Sequence, residues 1–179
     1  MRIVAGRWAG RALRSPRDFR VRPTSEHVRA PLLLLLAAAR RGARVLDLFA
    51  GTGALGLEAL SRGAARCDFV ETRPTSLDAL KANVTMLKLR DRTRIFRRDA
   101  LPFAAMLTAG AYHLAFADPP YESRMLDRVI DHWAASHFAL VLAVEHARTH
   151  PLPAGERTIV IDDTALTLYR APADVVARS

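Results

Sequence analysis

The chain has 179 residues, half of them apolar, and a formal net charge of +9, with a mass of 19.7 kDa and a sequence pI near 11.0. That length suits one hydrophobic core, and Cys67, the only cysteine, excludes an intramolecular disulfide and a cysteine-rich metal site. The charge is almost all arginine, with Lys81 and Lys88 the only lysines, and guanidinium forks suit phosphates and bases, so a nucleic acid leads the candidate partners.

The basic residues crowd the front of the chain. Arg2, Arg7, Arg11, Arg14, Arg17, Arg20, Arg22 and Arg29 precede the first long apolar segment, against only Asp18 and Glu26. Within this stretch Ile3 to Ala5 and Arg11 to Leu13 flank a turn region from Gly6 to Gly10, which predicts a β-hairpin. Thr24 or Ser25 can cap a helix after Pro23, and Pro31 would kink it. The apolar run from Ala30 to Ala39, with Leu32 to Leu36 at its centre, is about half of a bilayer-spanning length and ends in no small-residue cleavage pattern. It reads as a buried helix, so a cytoplasmic, reducing location without a membrane partner is expected.

From Arg44 onward, strand-like apolar runs alternate with helical periodicity, the pattern of a parallel sheet with crossover helices. Val45 to Phe49, Cys67 to Glu71, Thr93 to Arg97, His113 to Asp118 and Phe138 to Glu145 are the candidate strands. Leu77, Leu80, Val84 and Leu87, and then Leu126, Val129, Ile130 and Trp133, recur at spacings of three and four, as amphipathic helices do. Thr158 to Ile161 and Leu166 to Tyr169 are separated only by Asp162 to Ala165, which makes an antiparallel hairpin at the sheet edge. No repeat or linker interrupts the chain. One domain is expected, with residues 1–41 a basic extension and residues 42–179 the core.

Two motifs carry chemistry. In Asp47-Leu48-Phe49-Ala50-Gly51-Thr52-Gly53-Ala54-Leu55-Gly56 a strand passes through a glycine-rich turn into a helix, where backbone can approach a ligand and free N–H groups face an anion. Alone it matches a dinucleotide fingerprint, and Glu71 stands where a ribose-binding carboxylate belongs. Asp47, costly inside a strand end, and the lack of a following substrate domain weigh against a nicotinamide-dependent oxidoreductase. The second motif is Asp118-Pro119-Pro120-Tyr121, directly after the fourth strand, where ligands of open α/β sheets bind. An exocyclic amine on a base delocalises its lone pair into the ring. The Asp118 carboxylate and the Pro119 carbonyl can accept both of its N–H bonds and free that lone pair, Pro120 restricts the loop, and Tyr121 can stack on the base.

With these motifs the chain resembles the Class I S-adenosylmethionine-dependent methyltransferases, and within them the RsmD type, the 16S ribosomal RNA guanine-N2 methyltransferases. The resemblance runs through Met1-Arg2-Ile3-Val4-Ala5-Gly6, Arg22-Pro23-Thr24-Ser25, the glycine loop continued from Gly56 to Ala64, Phe69-Val70-Glu71, Arg98-Asp99-Ala100 and Asp-Pro-Pro-Tyr. It implies a doubly wound, seven-stranded, mostly parallel Rossmann-like sheet with an amino-terminal hairpin and helix. It also implies that Asp47, Gly51, Thr52 and Gly53 hold the methionine end of S-adenosylmethionine, Glu71 the ribose, and Asp99 with Ala100 the adenine. Asp118, Pro119, Pro120 and Tyr121 would face the target base, and Arg7, Arg11, Arg14 and Arg22 would grip 16S ribosomal RNA or the small ribosomal subunit. A monomer without metal is expected. The sequence departs from the pattern at Pro31 with Leu32 to Leu36, which replace a mixture containing an aromatic and an Asn, and at Asp162 to Ala165, which lacks a glycine before the last strand. Asp-Pro-Pro-Tyr by itself also suits a DNA adenine-N6 methyltransferase, although no insertion is large enough for a separate sequence-reading domain; a non-catalytic RNA-binding protein of the same fold is the third rival.

Overall fold

The structure, a computed structural model, describes residues 1–16, 42–120 and 124–176. The expected helix after Pro23, Arg22, the Leu32 to Leu36 run and Tyr121 lie outside the described residues.

Seven strands form one sheet: β1 (Arg44–Asp47), β2 (Arg66–Val70), β3 (Thr93–Phe96), β4 (Tyr112–Ala117), β5 (Ala139–Ala147), β6 (Arg157–Ile161) and β7 (Thr164–Arg170). Their order is β3-β2-β1-β4-β5-β7-β6. The first five pair in parallel, whereas β7 runs antiparallel between β5 and β6. The turn from β6 to β7 passes through a left-handed residue, Asp162 at φ 54°; aspartate is among the few side chains that tolerate this backbone. Five expected strands thus recur with ends shifted by one or two residues. Glu71 and Asp118 fall just beyond β2 and β4, which places both side chains past the hydrogen-bonded ladder.

Apolar residues fill both faces, as a parallel sheet between helices requires. Val45, Phe69, Leu114, Phe116, Ala143 and Leu166 face one core together with Leu57 and Leu60 of α1 (Ala54–Ser61) and Leu80 and Val84 of α2 (Pro74–Met86). Leu46, Val70, Ala115, Ala117 and Val144 face the other, with Phe103 of α3 (Ala100–Ala105) and Val129, Ile130 and Trp133 of α4 (Met125–Ser136). A short α5 (Ala173–Val176) follows β7. Among the described residues no helix is long and apolar enough to cross a membrane.

The amino-terminal hairpin is closed by hydrogen bonds from Ile3 N to Arg11 O (3.0 Å), Gly10 N to Ile3 O (2.8 Å) and Leu13 N to Met1 O (3.0 Å). Its ladder is shorter than the sequence predicts, with one bridge, Arg2↔Ala12. The cause is competition for backbone donors. Val4 N and Ala5 N donate instead to the two carboxylate oxygens of Glu58, at 2.7 and 2.8 Å, and Arg7 N donates to Ser61 O at 2.8 Å. Gly6 lies against the same helix so closely that a Cβ would stand 2.1 Å from Ser61 O. Ile3 and Leu13 enter the first core. The front of the chain is therefore strapped across α1 by its own main chain.

Candidate active site

A cavity of about 480 Å³ opens at the carboxyl edge of the parallel strands, the place where ligands of this architecture bind. Its wall follows the sheet order. Asp99 and Ala100 stand after β3, Glu71 after β2, Asp47 at the end of β1 with Leu48 to Thr52 beyond it, Asp118 to Pro120 after β4, Glu145 in β5 and Thr164 at the start of β7. Strand parity explains why carboxylates meet there. Val45, Phe69, Phe116 and Ala143 point into the same core, and two residues further along each strand stand Asp47, Glu71, Asp118 and Glu145. Side chains alternate with period two, so one face that is apolar below becomes acidic at its upper rim.

The glycine loop is built by three glycines with different tasks. Gly51, at φ 53°, lines the cavity, and a Cβ there would meet open space. Gly53 caps α1 at φ 80° and does not line the cavity; a Cβ would stand 2.4 Å from Leu80 Cδ1. Its α-carbon packs against Leu80 beneath the loop. Gly56 lets α1 settle on β2, where a Cβ would lie 2.4 Å from Phe69 Cε1 and 2.5 Å from Cys67 Sγ.

Asp47 is buried, and Gly56 N donates to its Oδ2 at 3.1 Å. Desolvation, with smaller contributions from Asp118 and Glu71, pushes its carboxyl up to about 7 against the opposing pull of the Gly56 bond. Glu71 braces the loop from the next strand: Gly51 N donates to its Oε2 at 2.8 Å, and Thr72 N and Arg73 N donate to its Oε1 at 2.7 and 2.8 Å. An ionised carboxylate offers about four acceptor sites, so one remains for a ligand hydroxyl. Asp99 caps α3 by accepting from Leu101 N at 3.1 Å and remains exposed at the cavity mouth.

Pro119 is buried beneath the half-exposed Asp118, and both line the cavity with Pro120. Arg7, Arg11 and Arg14 are exposed and outside the cavity wall. Arg14 is nevertheless fixed beside it. Its N–H donates to Asn83 Oδ1 at 2.8 Å, while Asn83 Nδ2 donates to Arg14 O at 3.1 Å and to Thr52 O at 3.0 Å. One buried amide of α2 thus ties the amino-terminal segment to the glycine loop. Met1, Ser15 and Pro16 join the wall, and Thr52 Oγ1 donates to Met1 Sδ at 3.4 Å.

Sequence reasoning missed Met1, Asn83 and Glu145. Glu145 had a signal, because an acidic residue closing an apolar strand repeats the pattern of Asp47 and Asp118. Met1 had none, since its place depends on the main-chain contacts with Glu58 and Ser61.

The family described as "Conserved hypothetical protein 95" matches residues 1–163. "Ribosomal RNA small subunit methyltransferase D" of Escherichia coli (strain K12) is 37% identical over 131 residues, 73% of this chain and 65% of that protein. Its namesake from Haemophilus influenzae is 29% identical across 95% of this chain and 92% of its own length. A solved structure of a hypothetical protein from Thermus thermophilus superposes with a TM-score of 0.79 at 31% identity, covering 96% of this chain and 99% of that one.

Proposed function

The chain belongs to the RsmD-type family, under its description "Conserved hypothetical protein 95", and on that premise we propose that it transfers a methyl group from S-adenosylmethionine to the N2 amine of a guanine in 16S ribosomal RNA. The observation that carries the reading is that the glycine loop and Asp118-Pro119-Pro120 share one cavity. Family membership disfavours the oxidoreductase and DNA adenine alternatives that the motifs alone left open.

The cofactor half of the cavity lies over β1, β2 and β3. The donor set fits: Asp47, Gly51, Thr52 and Gly53 would hold the methionine end, Glu71 a ribose hydroxyl, and Asp99 with Ala100 the adenine. When bound, S-adenosylmethionine supplies an electrophilic sulfonium methyl. The chain's own work is positioning. Asp118 and the Pro119 carbonyl accept the two N–H bonds of the amine and turn its lone pair toward the cofactor side, and Tyr121 stacks on the base. The base must leave its stack at a cost of a few kcal/mol, which phosphate contacts by Arg7, Arg11, Arg14 and Arg22 offset.

The reading is tested with labelled methyl donor and small ribosomal subunits that lack the modification. Digestion to nucleosides and mass spectrometry should place the label in N2-methylguanosine. Label in N6-methyladenine, or on DNA in preference to ribosomal RNA, would sink it.

Glu71→Ala should weaken S-adenosylmethionine by about 1 to 3 kcal/mol in calorimetry, the scale of a hydrogen bond to a charged group, and leave RNA affinity nearly unchanged. The loss has two sources, the ribose contact and the slackened Gly51 amide. Unchanged cofactor affinity would remove Glu71 from the site.

Charge reversal at Arg7, Arg11 and Arg14 should leave cofactor binding intact and flatten the salt dependence of RNA binding, because each phosphate contact releases counterions. An unaltered salt slope would make the basic front a solubilising surface.

A further inference from the structure

Asp-Pro-Pro-Tyr explains how an amine is held, but it does not choose among guanine N2, adenine N6 and cytosine N4. We infer that Glu145 makes that choice by accepting the ring N1–H of guanine beside Asp118. The inference rests on the guanine-N2 reading given above and deepens it.

Glu145 lies in β5, the neighbour of β4. The last rung between them is Ala117↔Val144, so the next positions, Asp118 and Glu145, follow adjacent positions of neighbouring strands. They share a face, because Phe116 and Ala143 two residues earlier point into the same core. Glu145 is only 6% exposed, and it lines the cavity with Asp118 and Pro119. Of the cofactor carboxylates, Asp99 and Glu71 follow β3 and β2, on the other side of β1 from β4 and β5, and Asp47 ends β1, one strand further from β5 than Asp118. A base with its amine on Asp118 and its N1 side turned toward β5 brings that edge to Glu145.

The three amines differ at that edge. On one side of N2 guanine carries N1–H, a donor, and on the other N3; it is the N1 side that differs among the bases. Beside N6 and N4, adenine and cytosine carry a ring nitrogen with a lone pair. In its carboxylate form Glu145 only accepts, and in that form it completes the edge of guanine and confronts the other two bases with lone pair against lone pair. A site built around a polar group discriminates strongly against an analogue that leaves it unpaired.

The test uses Glu145→Gln, which preserves shape, and small subunits reassembled around RNA carrying guanine or 2-aminopurine at the position the parent enzyme labels. 2-Aminopurine keeps the N2 amine and replaces N1–H with an acceptor. The parent should prefer guanine by about 10-fold or more in kcat/KM, the scale of one hydrogen bond to a charged group. E145Q replaces a charged acceptor with an amide whose oxygen accepts more weakly and whose nitrogen donates, so it should lose about 10-fold on guanine and hold or gain on 2-aminopurine, and the preference vanishes or inverts. Affinity for S-adenosylhomocysteine should match the parent. Equal losses on both bases would make Glu145 a structural residue and overturn the inference, as would a tenfold loss of S-adenosylhomocysteine affinity. A parent enzyme that labels neither guanine nor 2-aminopurine would overturn the guanine-N2 reading itself, a result distinct from an unchanged preference in E145Q.

Discussion

Asp118→Ala should yield folded protein whose turnover is lower by about 100-fold or more, the scale of losing one preorganised polar partner, with S-adenosylmethionine affinity close to that of the parent. Folding should survive because Asp118 is half-exposed and stands beyond the last β4 rung, while Phe116 and Ala117 below it complete the two cores. Cofactor affinity should survive because the glycine loop is braced by Glu71 and Asp47. One side effect is expected within the cofactor half. Asp118 is among the charges that raise Asp47, so its removal should let the Asp47 carboxyl fall from about 7. Single-turnover kinetics at saturating cofactor, with the cofactor Kd measured separately, isolate the methyl-transfer step. Turnover within a few-fold of the parent would defeat Asp118 as the acceptor of the amine.

Much of this site is written in the sequence because it depends on local rules. Period-two alternation sets Asp47 and Asp118 on one face, and the turn glycines mark where the first strand ends. Strand order is less legible: the insertion of β7 between β5 and β6 follows from pairing, although the short Asp162 to Ala165 connection did announce a hairpin. The third acidic position, Glu145, was readable by the same alternation but carried no motif to draw attention to it. Least legible was the amino-terminal segment. In sequence its arginines and turn glycines mark a basic hairpin and nothing of what it rests on. What holds it is main-chain N–H groups bonding to the side chains of a helix more than fifty residues away, a relation that leaves no periodicity. The one available hint was Glu58 itself, a carboxylate in the apolar run Ala54-Leu55-Gly56-Leu57-Glu58-Ala59-Leu60, where a buried charge needs partners.

That buried charge carries the largest expected effect on stability. Glu58→Ala should destabilise the fold by about 2 kcal/mol, since each lost hydrogen bond to a charged group is worth roughly 1.5 to 3 kcal/mol and the two amides, which are only partly buried, regain some of it from water. Glu58 is fully buried in the middle of α1. Its Oε2 accepts from Val4 N at 2.7 Å and its Oε1 from Ala5 N at 2.8 Å, with Arg62 Nε donating to Oε1 at 3.2 Å. The donors lie in a tight approach enforced by Gly6, so neither amide can turn to another carbonyl without lifting the segment off the helix. Lifting it would also withdraw Met1 from the cavity wall and from Thr52. Cofactor affinity should therefore fall together with stability, although Glu58 does not line the cavity. Denaturant unfolding measures the first effect and calorimetry the second, while hydrogen exchange at Val4 and Ala5 reports whether the strap has opened. Glu58→Gln, which keeps one acceptor oxygen, should lie between the parent and the alanine variant. If Glu58→Ala unfolds within about 0.5 kcal/mol of the parent, the usual range of a surface substitution, the segment is held by Ile3 and Leu13 packing alone and the carboxylate is not its anchor.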